Sequence, residues 1–297
     1  MMQLIHKTIV DKLPDLINGA GESLELLKYS TPTSGKSLND KVIFFVFKPR
    51  EKVPFLCVKT VRSYDAREII IRNFDNLKKI NTLTASSPYF DLFAQALYLH
   101  DDGENIFSIE TICPGKRIKL NKKKLSFVVA EYIGFQEYLA KNSSESVSDI
   151  KDFVKEIISK SKLKELDQQK LLQFTETLPL DNVKLPRLIQ HGDVTEDNIL
   201  LSKKRLCIID YDFVGVTDLP GFDLFGLFSR FNQSEVKELC YKYFPKYFSR
   251  IDVDVESNKY KGLLFLYFLI ERILRKPHPL ENESAEKIIS DFKDMTI

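Results

Sequence analysis

The chain has 297 residues, enough for two lobes that each bury a core. Hydrophobic residues make up 43% and charged residues 29%, the composition of an ordinary globular protein. A formal net charge of +2 gives no argument for nucleic acid or an anionic membrane as partner.

The opening stretch, MMQLIHKTIVDKLPDL, lacks the apolar run and small-residue cleavage site of a signal peptide, so a cytoplasmic location is expected. LELLKYS (24–30) and KVIFFVFK (41–48) read as two strands joined by the turn-prone TPTSGKSLND. VPFLCVKTV (53–61) reads as a third strand, and it carries Lys59 on the same face as Phe55 and Cys57. A lysine inside so apolar a strand is costly unless it meets an anion; the alternative is an edge-strand lysine pointing to water. From about Asp65 to Ile80, apolar residues recur at helical spacing. DLFAQALYLH and NIFSIETI then supply two more strand-like segments around Asp101-Asp102-Gly103.

After Cys113-Pro114-Gly115 the pattern becomes helical: 124–140, 149–177, 223–231, 234–244, 257–275 and a last stretch near the end. NSSESVS (142–148) reads as an exposed loop between helices. LLFLYFLI (263–270) is too short to span a bilayer and reads as a buried helix. One hairpin, NILL and RLCIID around SKKR, interrupts the helices. This is a two-lobe layout: residues 1–112 as a small sheet with one helix, and residues 113–297 as a mostly helical lobe. Cys57, Cys113, Cys207 and Cys240 form no CxxC pair and read as reduced residues; with only four histidines, a catalytic zinc site is not expected.

The chemistry concentrates in LIQHGDVTEDNILLSKKRLCIIDYDF, residues 188–213. Five carboxylates stand there among residues suited to burial, an arrangement that calls for positive charge. The hairpin should return the chain so that Asp210 comes near Asp193 and Asn198. Asp210 and Asn198 offer hard oxygen ligands suited to Mg²⁺, with phosphate oxygens and water completing its shell. Asp193 is then left to accept a proton from an attacking hydroxyl. Glu196 and Asp197 read as exposed loop acids.

The pattern His191-Gly192-Asp193, four residues, Asn198-Ile199, then an apolar strand ending at Asp210, resembles the aminoglycoside and choline phosphotransferase family. LPGFDLFGLF, with Asp223, is especially like the choline kinases. The resemblance implies an α+β, bilobal, protein-kinase-like fold with a nucleotide-binding lobe at 1–112 and a catalytic, acceptor-binding lobe at 113–297. It implies an enzyme that moves the γ-phosphoryl group of ATP, with GTP an open alternative, to a hydroxyl with Mg²⁺. Asp193 would be the catalytic base, and Asn198 and Asp210 the metal ligands. Asp223 would brace the catalytic loop through backbone hydrogen bonds, and His191 would be structural. Asp212 would be either a second metal contact or a solvated acid.

On the nucleotide side, Lys59 falls where the family carries its phosphate-binding lysine. The helix that follows should present a glutamate to it, but Asn73 stands at that place and Asp75 lies off the inward stripe. Lys59 would then be held by a neutral hydrogen bond, weaker than an ion pair. Ser34, Gly35 and Lys36 are expected either to cover the phosphates or to form a simple turn; no helix follows to make a P-loop. Glu110 to Cys113, with Glu110 and Ile112 foremost, occupy the family's interlobe connector and would offer backbone groups to the base.

A protein kinase is disfavoured by HGD in place of HRD, by Asp210-Tyr211-Asp212 in place of DFG, and by the lack of an APE segment. The acceptor stays open among sugars, polyols, amino alcohols and aminoglycoside-like molecules. The many aromatics of 231–297 are either core or a cage for a quaternary ammonium group. A kinase-fold protein that binds nucleotide without transfer is the alternative function.

Overall fold

A computed structural model describes residues 1–17, 24–29, 41–142, 147–161, 163–202, 205–275 and 284–296. Ser34, Gly35 and Lys36 lie outside the described residues. In chain order the elements are α1 (Met2–Lys12), α2 (Pro14–Ile17), β1 (Glu25–Tyr29), β2 (Lys41–Phe47), β3 (Leu56–Val61), α3 (Arg67–Thr84), β4 (Ala96–Asp101), β5 (Ile106–Thr111) and β6 (Lys116–Arg117). There follow α4 (Lys122–Asn142), β7 (Val147–Asp149), α5 (Ile150–Ser159), α6 (Glu165–Glu176), β8 (Lys184–Pro186), β9 (Ile199–Leu201) and β10 (Leu206–Ile208). The chain ends with α7 (Phe222–Phe228), α8 (Gln233–Arg250), α9 (Tyr260–Ile270) and α10 (Ala285–Thr296). It divides into two compact units, one of Met1–Lys116 with Leu200–Asp212, the other of Arg117–Ile199 with Phe213–Ile297.

The first unit is built on an antiparallel sheet of order β1-β2-β3-β5-β4. Because side chains alternate along a strand, β2 sorts its residues cleanly: Val42, Phe44 and Val46 are buried on one face. Opposite them in register come Leu56 and Val58, then Ile109 and Phe107. This face packs against Ile5 and Ile9 of α1 and Ile17 of α2. The N-terminal helix was not expected; its signal is the pair Ile5 and Ile9, one helical turn apart. On the other face, Val61 and Ile106 meet Ala66 and Ile70 beside and within α3. With helices on both faces, all six residues of β3 are buried, which is why that strand reads as an unbroken apolar run.

The hairpin β9–β10 joins this unit. Ile208 bridges to Phe93, and the Tyr211 hydroxyl accepts from the Ala94 amide at 3.0 Å and donates to the Ile208 carbonyl at 2.9 Å. Cys207 is disulfide-bonded to Cys113. This corrects the reading of all four cysteines as reduced: the partners lie 94 residues apart, and only the return of the hairpin brings them together. Cys57 and Cys240 are free and buried.

In the second unit, the helical stretch at 149–177 is two helices, α5 and α6. The loop expected at 142–148 yields a strand at its end, β7, paired antiparallel with β8. α8 runs through Pro245 to Arg250 instead of stopping before it. A proline removes a helical hydrogen bond at a cost of ~3 kcal/mol. Here the flanking Tyr243, Phe244, Tyr247 and Phe248 are all buried, which offsets it. Phe244 meets Phe248, Tyr260 and Tyr267 edge-on, so these aromatics are core. The apolar run in α9 is buried as expected. Among the described residues, no helix is long and apolar enough to cross a membrane.

Candidate active site

Each unit carries one cluster of the expected residues. In the second unit the HGD loop is held from below by a buried polar network. Asp223, at the start of α7, accepts from the backbone amides of His191 at 2.6 Å and Gly192 at 2.7 Å. The Tyr132 hydroxyl donates to the same carboxylate, and burial, then the Asp223 charge, pushes this phenol's pKa well above its usual value. The proton therefore stays on Tyr132 to make that bond. Gln190 Oε1 accepts from the Asp223 amide at 3.3 Å, and its Nε2 donates to Gln136 Oε1 at 2.8 Å. Backbone bracing by Asp223 is thus what this unit contains, with Tyr132, Gln136 and Gln190 as partners not singled out in the sequence.

Gly192 sits at φ +81°, and a Cβ there would collide with the Phe213 backbone. Only glycine makes this turn without strain. It delivers a half-buried Asp193, whose Oδ2 accepts from Asn198 Nδ2 at 2.7 Å. The same Nδ2 bonds the Asp193 carbonyl at 3.0 Å. Asn198 is buried on a 3-10 turn, Glu196–Asn198, with its nitrogen committed to Asp193; the amide oxygen is what it can offer a cation. Glu196 is not simply a solvated acid, since its Oε2 accepts from the Leu120 amide at 3.3 Å.

The first unit brings together Lys59, Asn73, Glu110, Asp210 and Asp212. Lys59, Asn73 and Glu110 are 6%, 0% and 5% exposed. Lys59 Nζ lies 2.8 Å from Glu110 Oε1 and donates to Asn73 Oδ1 at 3.2 Å, over the Tyr211 ring at 5.2 Å. Two expectations are corrected. Lys59 is not left with a neutral hydrogen bond alone, and the Glu110 side chain is an inward counter-ion, not only a position on a connector. Burial, the largest single influence, pushes the Lys59 pKa down; the charge and hydrogen bond of Glu110, with smaller help from neighbours that include Asp210, together turn the net shift upward. Burial first, then Glu110, raises the Cys57 thiol to about 12, so it stays protonated.

Asn73 Nδ2 also donates to Asp212 Oδ1 at 2.7 Å. Lys41, at the start of β2, joins Asp212 Oδ2 at 2.8 Å and Asp210 Oδ1 at 2.6 Å. Part of the positive charge demanded by the acidic stretch therefore comes from Lys41, which lies outside the motif. Its parity with Ile43 and Phe45, on the Lys59 face of the sheet, was the available signal. Asp210 adopts φ +70°, a conformation aspartate tolerates better than most residues, and the chain turns there out of β10. Two carboxylates already converging on one ammonium are a donor set that fits a hard divalent cation. Among the described residues, no three or more His, Cys, Asp or Glu gather as a metal site, so such an ion would rely on other ligands as well. Ile112 donates its amide to the Phe55 carbonyl at 3.3 Å. Its neighbours Thr111 and Cys113 line, with Phe55, Phe93 and Arg205, a cavity of about 320 Å³.

Residues 136–250 match the model of the phosphotransferase enzyme family, a stretch that includes Asp193, Asn198, Asp210 and Asp223. No curated protein sequence matches the chain. Among solved structures, a choline kinase from Cryptosporidium parvum Iowa II aligns with a TM-score of 0.57 at 14% identity, over 100% of this chain and 94% of that one. An aminoglycoside-3'-phosphotransferase of type VIII aligns with a TM-score of 0.51 at 18% identity, over 89% and 98% of the two chains. A thermostable mutant of an aminoglycoside phosphotransferase, in ternary complex with ADP and hygromycin B, aligns with a TM-score of 0.52 at 13% identity, over 95% and 92%. At these identities the likeness is one of fold. The resemblance read from the sequence is borne out, and with it the α+β, kinase-like fold.

Proposed function

From this family match and fold, we propose that the chain is a small-molecule kinase that transfers the γ-phosphoryl group of ATP to an acceptor hydroxyl. The observation that carries the reading is the braced HGD loop within the matched stretch: Asp193 is presented by Gly192 and Asn198 while Asp223 fixes the backbone behind them. Asp193 accepts the hydroxyl proton as the new P–O bond forms and the bond from the γ-phosphorus to the bridging oxygen breaks, with ADP as the leaving group. Asn198 and Asp210 would hold Mg²⁺, which would neutralise charge on the donor phosphates. Lys59 meets those phosphates as a fixed cation. Residues 1–112 would serve the nucleotide and 113–297 the acceptor. ATP and GTP are separated by no residue named above.

The acceptor class stays broad: sugar, polyol, amino alcohol or aminoglycoside-like. The buried aromatics Phe244, Phe248, Tyr260 and Tyr267 argue for none of these, because they pack on one another. The alternative of a non-catalytic nucleotide-binding protein rests on Asn73 in place of a glutamate and on the irregular loop sequence between the first two strands. Glu110 on Lys59 weakens the first of these grounds.

The test is a thermal melt with ATP, with Mg²⁺ and with both, on the natural protein and on Asp210→Ala. A ligand at a hundred times its dissociation constant stabilises by about 2.7 kcal/mol. A magnesium-dependent shift with ATP, absent in Asp210→Ala, is expected; no shift with any nucleotide sinks the proposal. Once an acceptor is found, Asp193→Ala should abolish turnover while keeping the ATP shift, and turnover retained in that variant would overturn its role.

A further inference from the structure

We infer that Glu110 on β5, and not an acid on α3, is the residue that positions Lys59 for the donor phosphates. The inference deepens the phosphotransfer reading and rests on it. The register of β3 and β5 sets Cys57 opposite Glu110 and Lys59 opposite Ser108. Paired residues share a face, so Glu110 is the diagonal neighbour of Lys59, a separation that long side chains span. The result is the 2.8 Å ion pair, buried at both ends.

Asn73 cannot do the same work. It is neutral, lies farther off at 3.2 Å, and has its Nδ2 committed to Asp212. A carboxylate at position 73 would put a second negative charge against Asp212. Asn73 therefore relays between Lys59 and the Asp210-Tyr211-Asp212 turn, and Glu110 supplies the charge that keeps the lysine ionised in the core. Where a helix glutamate holds the lysine, movement of the helix makes and breaks the pair. Here both partners stand on adjacent strands of one sheet, so the pair is fixed by strand register. The charged partner of Lys59 therefore does not depend on the position of α3, which contributes only the neutral bond to Asn73.

A positioning residue acts only through the group it positions, which a double-mutant cycle isolates. Mg·ATP binding is measured by titration calorimetry on the natural protein, Lys59→Met, Glu110→Gln and the double variant, with melting curves to establish folding. Glu110→Gln is expected to weaken Mg·ATP by about fivefold or more when Lys59 is present, and by less than about twofold in the Lys59→Met background. Glu110→Asp keeps the charge but withdraws it by one methylene, and should fall between. If the Gln variant does not fold, the Asp variant decides: a loss of about twofold or more supports positioning, and none overturns it. Unchanged or tighter binding by Glu110→Gln, or equal losses in both backgrounds, also overturns it. If the natural protein binds neither Mg·ATP nor Mg·GTP, the phosphotransfer reading itself fails and takes the inference with it; if nucleotide binds but Lys59→Met binds it as well as the natural protein, the inference alone is overturned.

Discussion

Asp223 shows how a single buried side chain can set a loop. Its two oxygens receive the His191 and Gly192 amides and the Tyr132 hydroxyl, so the backbone ahead of Asp193 is held by a side chain 30 residues further on. Removing that acceptor strands donors in the core, at roughly 1–3 kcal/mol each. Asp223→Ala should therefore lose roughly 3 kcal/mol or more in urea unfolding, and Asp223→Asn, which keeps one oxygen, noticeably less. A loss under about 1 kcal/mol in the alanine variant would mean that water or a neighbour replaces the carboxylate. Gly192→Ala is expected to cost at least ~1–3 kcal/mol for the positive φ alone, with more from the clash against Phe213. The check is the same urea unfolding, with natural stability in the variant as the contrary result.

At the scale of elements, the hairpin β9–β10 matters most, because it carries the Asp210-Tyr211-Asp212 turn. Tyr211 fastens it: its ring lies beneath Lys59, its hydroxyl reaches Ala94, and its carbonyl accepts from Asn76 Nδ2 at 2.8 Å. The Cys113–Cys207 disulfide adds a covalent tie. Thiol titration reads it directly. Without reductant, the folded protein should give almost no reaction at pH 8, since the buried Cys57 and Cys240 both have raised pKa values. Unfolding should release two thiols per chain, and reduction followed by unfolding four. Four thiols on unfolding without reductant would dispose of the pairing. Closing so long a loop is worth roughly 2–4 kcal/mol, so the reduced protein should melt lower. The sign of the alkaline response follows from Cys57. Its thiol ionises near 9 when unfolded and at about 12 when folded, so the unfolded state holds fewer protons between those values. Stability should fall as pH rises through that window, and Cys57→Ala should flatten the fall.

At the scale of the whole molecule, the first unit is not a continuous piece of chain: Leu200–Asp212 belongs to it. A fragment of residues 1–116 therefore lacks Cys207, Tyr211 and the acids that pair Lys41, and is expected to melt broadly and at lower temperature than the intact chain in circular dichroism. A sharp, natural-like transition would show the sheet with α1 to α3 to be sufficient. The strands and the longer helices were legible because burial on one face imposes a period of two or 3.6, and local turn residues mark their ends. α1 was missed because its apolar signal is short, and the continuation through Pro245 because burial of the surrounding aromatics outweighed a local rule. The sequence by itself determined the five strands of the first sheet with the helix α3, the hairpin β9–β10, the family resemblance, and the roles expected of Asp193, Asn198, Asp210 and Asp223, since these last lie in one contiguous pattern of fixed spacing. The tertiary structure alone decided that Glu110 answers Lys59, that Lys41 answers Asp210 and Asp212, and that Cys113 meets Cys207. Those partners lie 51, 169, 171 and 94 residues apart, and charge or sulfur is paired across such distances by strand register and hairpin return, which leave no local trace in the chain.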